Sequence, residues 1–113
     1  MKPALSDITQ FGARIAERFS PEKIILFGSY AYGEPNQDSD VDMLVIMPHQ
    51  GNAREKAFEI RSAFPREFPL DLIVRSSEEL QKRLSMNDFF LKEITERGKV
   101  IYERGNKRMD QTC

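Results

Sequence analysis

A chain of 113 residues with 31% charged side chains and a formal net charge of −1 is one domain's worth of protein, with no global basic field to draw in nucleic acid. No apolar run nears the roughly 18 residues that cross a bilayer, and MKPALSDITQ has neither the charged head nor the apolar middle of a secretory signal. The one cysteine, Cys113, excludes a disulfide framework or a cysteine metal cage and reads as incidental; a cytoplasmic protein is expected.

Ser6 reads as the N-cap of a first helix, with Ile8, Phe11, Ile15 and Phe19 spaced three and four apart on one face and Pro21 stopping it. Glu22 to Phe27 then reads as a short buried strand ending at Gly28. Ser29 to Tyr32 has room for one helical turn, and GEPNQDS is loop chemistry throughout. Asp40 to Met47 forms a second strand, closed by Pro48 and Gly51. His49, the one histidine, is expected to be a solvated loop residue. Ala53, Ala57, Ile60 and Phe64 mark a second amphipathic helix bounded by Pro65 and Pro69. Leu70 to Val74 is a third strand, carrying Asp71 near its start. Ser76 or Ser77 caps a short helix over EELQKRL. Asn87 or Asp88 caps another, with Phe90, Leu91 and Ile94 facing inward and Gly98 at its end. Val100 to Tyr102 adds a last strand. Residues 1–103 are expected to form the domain and 104–113 a flexible tail. Strands alternating with helices in so short a chain predict an α/β (α+β) fold, a sheet with helices packed on it.

The acids are placed with more purpose than strand ends need. Asp40 and Asp42 flank Val41, so in an extended strand they share one side, about 6.5–7 Å apart. Carboxylates that close repel each other, and in an apolar setting one is driven toward protonation. A divalent cation removes the penalty, and Mg²⁺, a hard ion held by one or two carboxylates plus substrate phosphates, suits best. Asp71 interrupts an apolar run. It either lies in water at the strand end or faces the same cation site. In the second case three carboxylates can hold two metal ions, the arrangement used for in-line phosphoryl and nucleotidyl displacement.

Gly28 and Ser29 supply the complement. Gly28 allows a tight turn with no Cβ in the way, and the N–H groups and hydroxyl at Ser29 can bind phosphate oxygens. The spacing from Gly28 to Gly33 opens a P-loop only superficially, since Glu34 and Pro35 stand where Lys and Ser or Thr belong. Asp-x-Asp alone is a weak signal, and Gly-Ser weaker. Order, spacing and a third strand-borne acid make the set specific.

Gly28-Ser29, ten residues, then Asp40-Val41-Asp42 resembles the signature of the nucleotidyltransferase superfamily that includes DNA polymerase beta. The short chain is similar to the minimal nucleotidyltransferase (MNT) branch, most clearly over Ile24 to Val74. The resemblance implies a nucleotidyltransferase-like fold with a small mixed sheet. It implies Asp40 and Asp42 as metal-binding carboxylates, Asp71 as the third, and Gly28 and Ser29 as the phosphate-binding pair. Family members of this size resemble the antitoxin half of HEPN–MNT toxin–antitoxin pairs, in which the MNT protein transfers AMP from ATP to a tyrosine of a helical HEPN ribonuclease. For this chain the likeness implies a Mg²⁺-dependent enzyme using two ions and ATP, with Asp71 as the base and a HEPN-type toxin as partner. Neither membrane nor direct nucleic-acid binding is expected.

Many relatives carry basic residues shortly after Gly-Ser, as in GSRARG, whereas this chain has Tyr30 and Tyr32. Charge for the triphosphate is then expected from Lys23, Arg75 or a partner; the tyrosines can stack on a base or pack on the partner, and packing is the expectation. Two other readings fit the same residues. One is transfer to a small-molecule acceptor, with a homodimer interface replacing an acceptor-holding domain. The other is a non-catalytic module that neutralises its partner by covering it. Phe89, Phe90 and the Phe64–Phe68 segment are the apolar candidates for a partner surface.

Overall fold

The computed structural model describes residues 3–36, 38–65 and 68–105. Its first helix, α1 (Leu5–Phe19), has its N-cap at Ala4, two residues before the expected Ser6. Asp7 reaches back to accept the Ala4 N–H at 3.0 Å, so the chain turns helical at Leu5 and Ser6 sits inside the first turn. Ile8, Phe11 and Ile15 form its buried stripe, and Ser20 ends it in the left-handed conformation just before Pro21.

Four strands follow the expected positions to within a residue or two: β1 (Lys23–Phe27), β2 (Val41–Ile46), β3 (Leu70–Arg75) and β4 (Lys99–Glu103). Between them lie the single turn α2 (Ser29–Tyr32), α3 (Ala53–Ser62), α4 (Ser77–Ser85) and α5 (Phe89–Arg97). The sheet runs β3-β2-β1-β4. β1 is antiparallel to both neighbours, and β2 and β3 are parallel, joined through α3. The sheet is therefore mixed.

Strand alternation sorts the side chains into two cores. On one face Ile24, Leu26, Val41, Met43, Val45, Leu70, Leu72 and Val74 pack against α1 and Ile60 of α3. Phe11 meets Phe64 and Phe68 edge to face at centroid separations of 6.0 and 5.7 Å, so these two phenylalanines belong to the core. On the other face Ile25, Phe27, Leu44 and Ile46 meet Leu80 of α4 and Leu91 and Ile94 of α5. The caps are the expected ones at Ser76 and Asp88, whose side chains accept from Glu79 N and Leu91 N.

Two expectations fail here. Phe90 does not face inward; it is 51% exposed, next to Phe89 at 78%, and meets Phe27 in a T-shaped contact. His49 is not a solvated loop residue. Its side chain is 7% exposed, with Nε2 2.9 Å from Glu79 Oε1. The loop after β2 folds back onto the start of α4, where the Ser76 N–H and then His49 hold the Glu79 carboxyl below its usual range. The tail expected over 104–113 lies outside the described residues from 106 onward. No helix among the described residues is long and apolar enough to cross a membrane.

Gly98 ends α5, though not through a left-handed cap: its φ is −69°. A Cβ there would lie 2.5 Å from Ile25 Cγ2 and 2.9 Å from the Leu26 carbonyl oxygen, so the missing side chain is what lets α5 close onto β1. Gly98→Ala should therefore destabilise the fold by about 1–3 kcal/mol, the usual result of overpacking. Urea denaturation checks this: the midpoint should fall with an unchanged slope.

Candidate active site

The acids collect at the end of the sheet where β1 stops and β2 and β3 start. Asp42 is the second residue of β2, and the parallel register sets it beside Asp71 of β3. Neighbouring strands lie about 4.8 Å apart, and laterally paired residues share a face, so the two carboxylates are side by side. The Val41 N–H donates to the Pro69 carbonyl at 3.0 Å, which carries the pairing back past both strand starts. Asp40 falls just outside β2, at the exit of a loop organised by Asn36. The Asn36 Oδ1 accepts the Asp38 N–H at 2.8 Å, and the Asn36 carbonyl accepts the Ser39 N–H at 3.1 Å. By strand parity Asp40 projects to the same side as Asp42.

Electrostatics show that Asp42 senses the other two. The Asp42 carboxyl is pushed up from its ordinary 3.8 to about 6, first by burial and then by the charges of Asp71 and Asp40. Asp42 is half-buried, with Phe27 paired to it across β1 and Phe90 edge-on to Phe27 at 5.7 Å. Asp71 and Asp40 are both exposed. Asp71 thus lies in water at the strand end, the first of its two alternatives, and beside Asp42.

Gly28 completes the site by what it lacks. Its φ of +77° disfavours any side chain, and a Cβ there would run into Asp42 Oδ2 and come within 3.1 Å of Asp42 Cγ. The turn into α2 passes directly over the central carboxylate. The Gly-Ser and Asp-x-Asp halves of the sequence pattern are one packed unit. From Gly28 the chain forms a single helical turn in which Ala31 N and Tyr32 N bond back to the Gly28 carbonyl, leaving Ser29 at its open end.

The tyrosines of this turn part company. Tyr30 packs on the α1/α3 core, and its hydroxyl is buried with no partner among the described residues; burial pushes the phenol pKa up. Tyr32 packs on the α4/α5 side, under the Arg97 guanidinium. Both pack on this chain's own core, where packing on a partner was the expectation.

The expected sources of positive charge are misplaced. Lys23 begins β1 and Arg75 ends β3, and both are in register with Ile46 at the far end of β2. Four residues of strand, about 13 Å, separate each from the acid end. Lys23 pairs with Glu103 at 3.5 Å, and Arg75 Nη1 donates to the Val74 carbonyl at 2.7 Å.

As a donor set for a cation, three carboxylates offer hard oxygens only, which fits Mg²⁺ better than a thiolate- or imidazole-seeking metal. The Asp42 pKa shows the negative charge such an ion would relieve. Among the described residues no three Asp, Glu, His or Cys side chains are already drawn into a metal-holding cage. The backbone supplies the proximity, and Asp40 and Asp71, both open to solvent, have room to turn.

A raised carboxyl pKa favours the fold below about pH 4 and loses that contribution as pH rises through about 6. Asp42→Asn should therefore make the metal-free protein more stable at pH 7–8 by about 1 kcal/mol, a figure reduced for the solvent that screens a half-exposed group, and the gain should vanish near pH 4. Thermal melts across pH measure it. Gly28→Ala should act in the opposite direction at every pH.

Residues 8–102 match the family model for the nucleotidyltransferase domain. A curated relative from Methanocaldococcus jannaschii, named as a candidate protein adenylyltransferase, is 34% identical over 53 residues. That stretch is 47% of this chain and 54% of the relative, so the chain spans about half the relative's length. The structure of a candidate nucleotidyltransferase from Sulfolobus solfataricus superposes with a TM-score of 0.62 at 21% identity, over 88% of this chain and 80% of that one. A toxin–antitoxin structure with AMP-PNP gives 0.50 at 20% identity, over 88% and 76%. At those identities the likeness is one of fold. With the family model spanning almost all of the described chain, this chain belongs to the nucleotidyltransferase domain family.

Proposed function

We propose that this protein is a Mg²⁺-dependent adenylyltransferase that moves AMP from ATP to a tyrosine hydroxyl of a cognate HEPN-type ribonuclease toxin, and so acts as its antitoxin. The observation that carries the reading is the charge-strained Asp42, packed under Gly28 between the paired Asp71 and the nearby Asp40. A carboxylate held at that cost to the fold has a use when the charge is neutralised by substrate and ion. Support for the acceptor class comes from the relative named as a protein adenylyltransferase and from the shared fold of the toxin–antitoxin structure with AMP-PNP.

In this reading Asp40, Asp42 and Asp71 hold the metal, and Gly28 and Ser29 receive the phosphates. Bound Mg²⁺, as two ions, would neutralise the carboxylates and the charge developing on the triphosphate. Ser29 offers its hydroxyl and a free N–H to the phosphate oxygens, and the absent Cβ at Gly28 lets the Asp42 carboxylate come up against that turn. The acceptor oxygen attacks the α-phosphorus in line. A bond from that oxygen to phosphorus forms, the bond from the α-phosphorus to the bridging oxygen breaks, and pyrophosphate leaves with the electron pair. Asp71, exposed at the lip of the site, takes the phenolic proton. Phe90, exposed and set against Phe27 beside Asp42, and its exposed chain neighbour Phe89 offer apolar surface near that lip, where an acceptor protein would dock.

The test is mass spectrometry of the co-purified toxin after incubation with Mg²⁺ and ATP. Its mass should rise by whole AMP units. Asp40→Asn or Asp42→Asn should stop the rise, and Asp71→Asn should slow it by about a hundredfold or more. A competent toxin whose mass never changes, neutralised equally well by Asp42→Asn, would assign the protein to the non-catalytic reading instead.

A further inference from the structure

The glycine–serine turn and the loop after it carry a charge deficit. Residues 28–42 contain Glu34, Asp38, Asp40 and Asp42 and no Lys, Arg or His. Asp71 adds a fifth carboxylate from the neighbouring strand. A nucleoside triphosphate brings several more negative charges to the same place. Ions held by the acids offset part of this, but the β- and γ-phosphates still need a donor with its own positive charge. Lys23 and Arg75 stand at the wrong end of the sheet. Lys99 pairs with Leu26 in β4, and Leu26 belongs to the α1/α3 face, opposite the acids.

Arg97 meets the requirement on three counts. Its guanidinium carbon lies 4.4 Å from the centroid of the Tyr32 ring, within cation–π range, and Tyr32 closes the turn that Gly28 opens. It is on the correct side, because Tyr32 packs with Phe27 and Leu44 on the face that carries Asp42 and Asp71. Phe90 and Arg97, seven positions apart on one flank of α5, touch Phe27 and Tyr32 respectively, so this flank walls the site. Its place is also fixed from behind, since Gly98 is pressed against the Leu26 carbonyl. Its ion pair to Glu93 Oε2, at 3.1 Å, is an exposed i,i+4 pair. Such a pair is weak, and it leaves most of the five guanidinium donors for another anion.

We propose that Arg97, perched on Tyr32, binds the β- and γ-phosphates of the incoming nucleotide. The chain thereby recovers from α5 the charge its turn does not carry. The proposal rests on the nucleotide-site reading given above. It adds that specificity for a triphosphate over a monophosphate resides in one arginine, whose planar fork matches phosphate oxygens in a way a lysine does not.

The experiment is a titration of the full chain with ATP and with AMP, each with and without Mg²⁺, followed by NMR chemical shifts. It compares the wild type with Arg97→Gln, Arg97→Lys and Asp42→Asn. Arg97→Gln should weaken Mg-ATP binding about tenfold, as expected for losing a charge-assisted contact, and change AMP binding less than about twofold. Arg97→Lys should recover part of the ATP affinity. Asp42→Asn should remove the Mg²⁺ dependence. Unchanged ATP binding by Arg97→Gln, or equal weakening of ATP and AMP, overturns the role of Arg97 while the Asp42 result leaves the site reading intact. A wild type that binds no ATP, or binds it with no dependence on Mg²⁺ or Asp42, overturns the site reading and this proposal with it.

Discussion

Everything at the acid end of the sheet depends on the parallel pairing of β2 with β3. That register alone brings Asp71, remote in sequence, to the side of Asp42. A slip of one residue would turn Asp71 into the α1/α3 core and Leu70 out to water, so the hydrophobic alternation of β3 protects the juxtaposition. The fold thus holds in place a repulsion that it could have avoided. Its cost appears in the elevated Asp42 pKa, and two apolar layers on either side of the sheet offset it.

The two layers are not equivalent, and the difference creates the opening. The α1/α3 layer covers β3 along its length at Leu70, Leu72 and Val74. On the other face α4 and α5 bury Leu44 and Ile46 but leave Asp71 exposed and Asp42 half-covered. Phe90 lies at the boundary, in T-shaped contact with Phe27 and half in solvent. A site at the uncovered end of a sheet needs no cavity of its own. It needs strand ends, a turn that leaves room, and a wall.

Most of the scaffold was legible because local signals agreed with one another. Ile8, Phe11 and Ile15 gave the helix period, Gly28 and Pro48 bounded strands, and Ser76 and Asp88 announced helix starts. The acids were legible as a set because residue type, parity and order all converged. What escaped depended on contacts between distant segments. His49 looks like a loop residue until Glu79, thirty positions on, closes over it. Phe90 fits an apolar stripe, but the sheet beneath it has already ended at Phe27. Lys23 and Arg75 lie close in sequence to the motif residues of their own strands, and strand length carries them away from the site. Arg97 gave no local signal, being one more basic residue in the last turn of a helix, where the macrodipole alone would account for it.

β1 ties these separate features together. Its one edge pairs with β2 and fixes Phe27 opposite Asp42; its other edge pairs with β4 and fixes Lys99 opposite Leu26. Because α5 runs through Gly98 directly into β4, the second pairing also sets where Arg97 stands. The strand then ends at Gly28, whose missing side chain admits the Asp42 carboxyl from one direction and starts the turn toward Tyr32 in the other. The acidic half and the basic half of the site therefore share one rigid reference. A shift of β1 by a single residue would separate carboxylates, glycine turn and guanidinium together, which is why this short strand is almost wholly buried and paired on both edges.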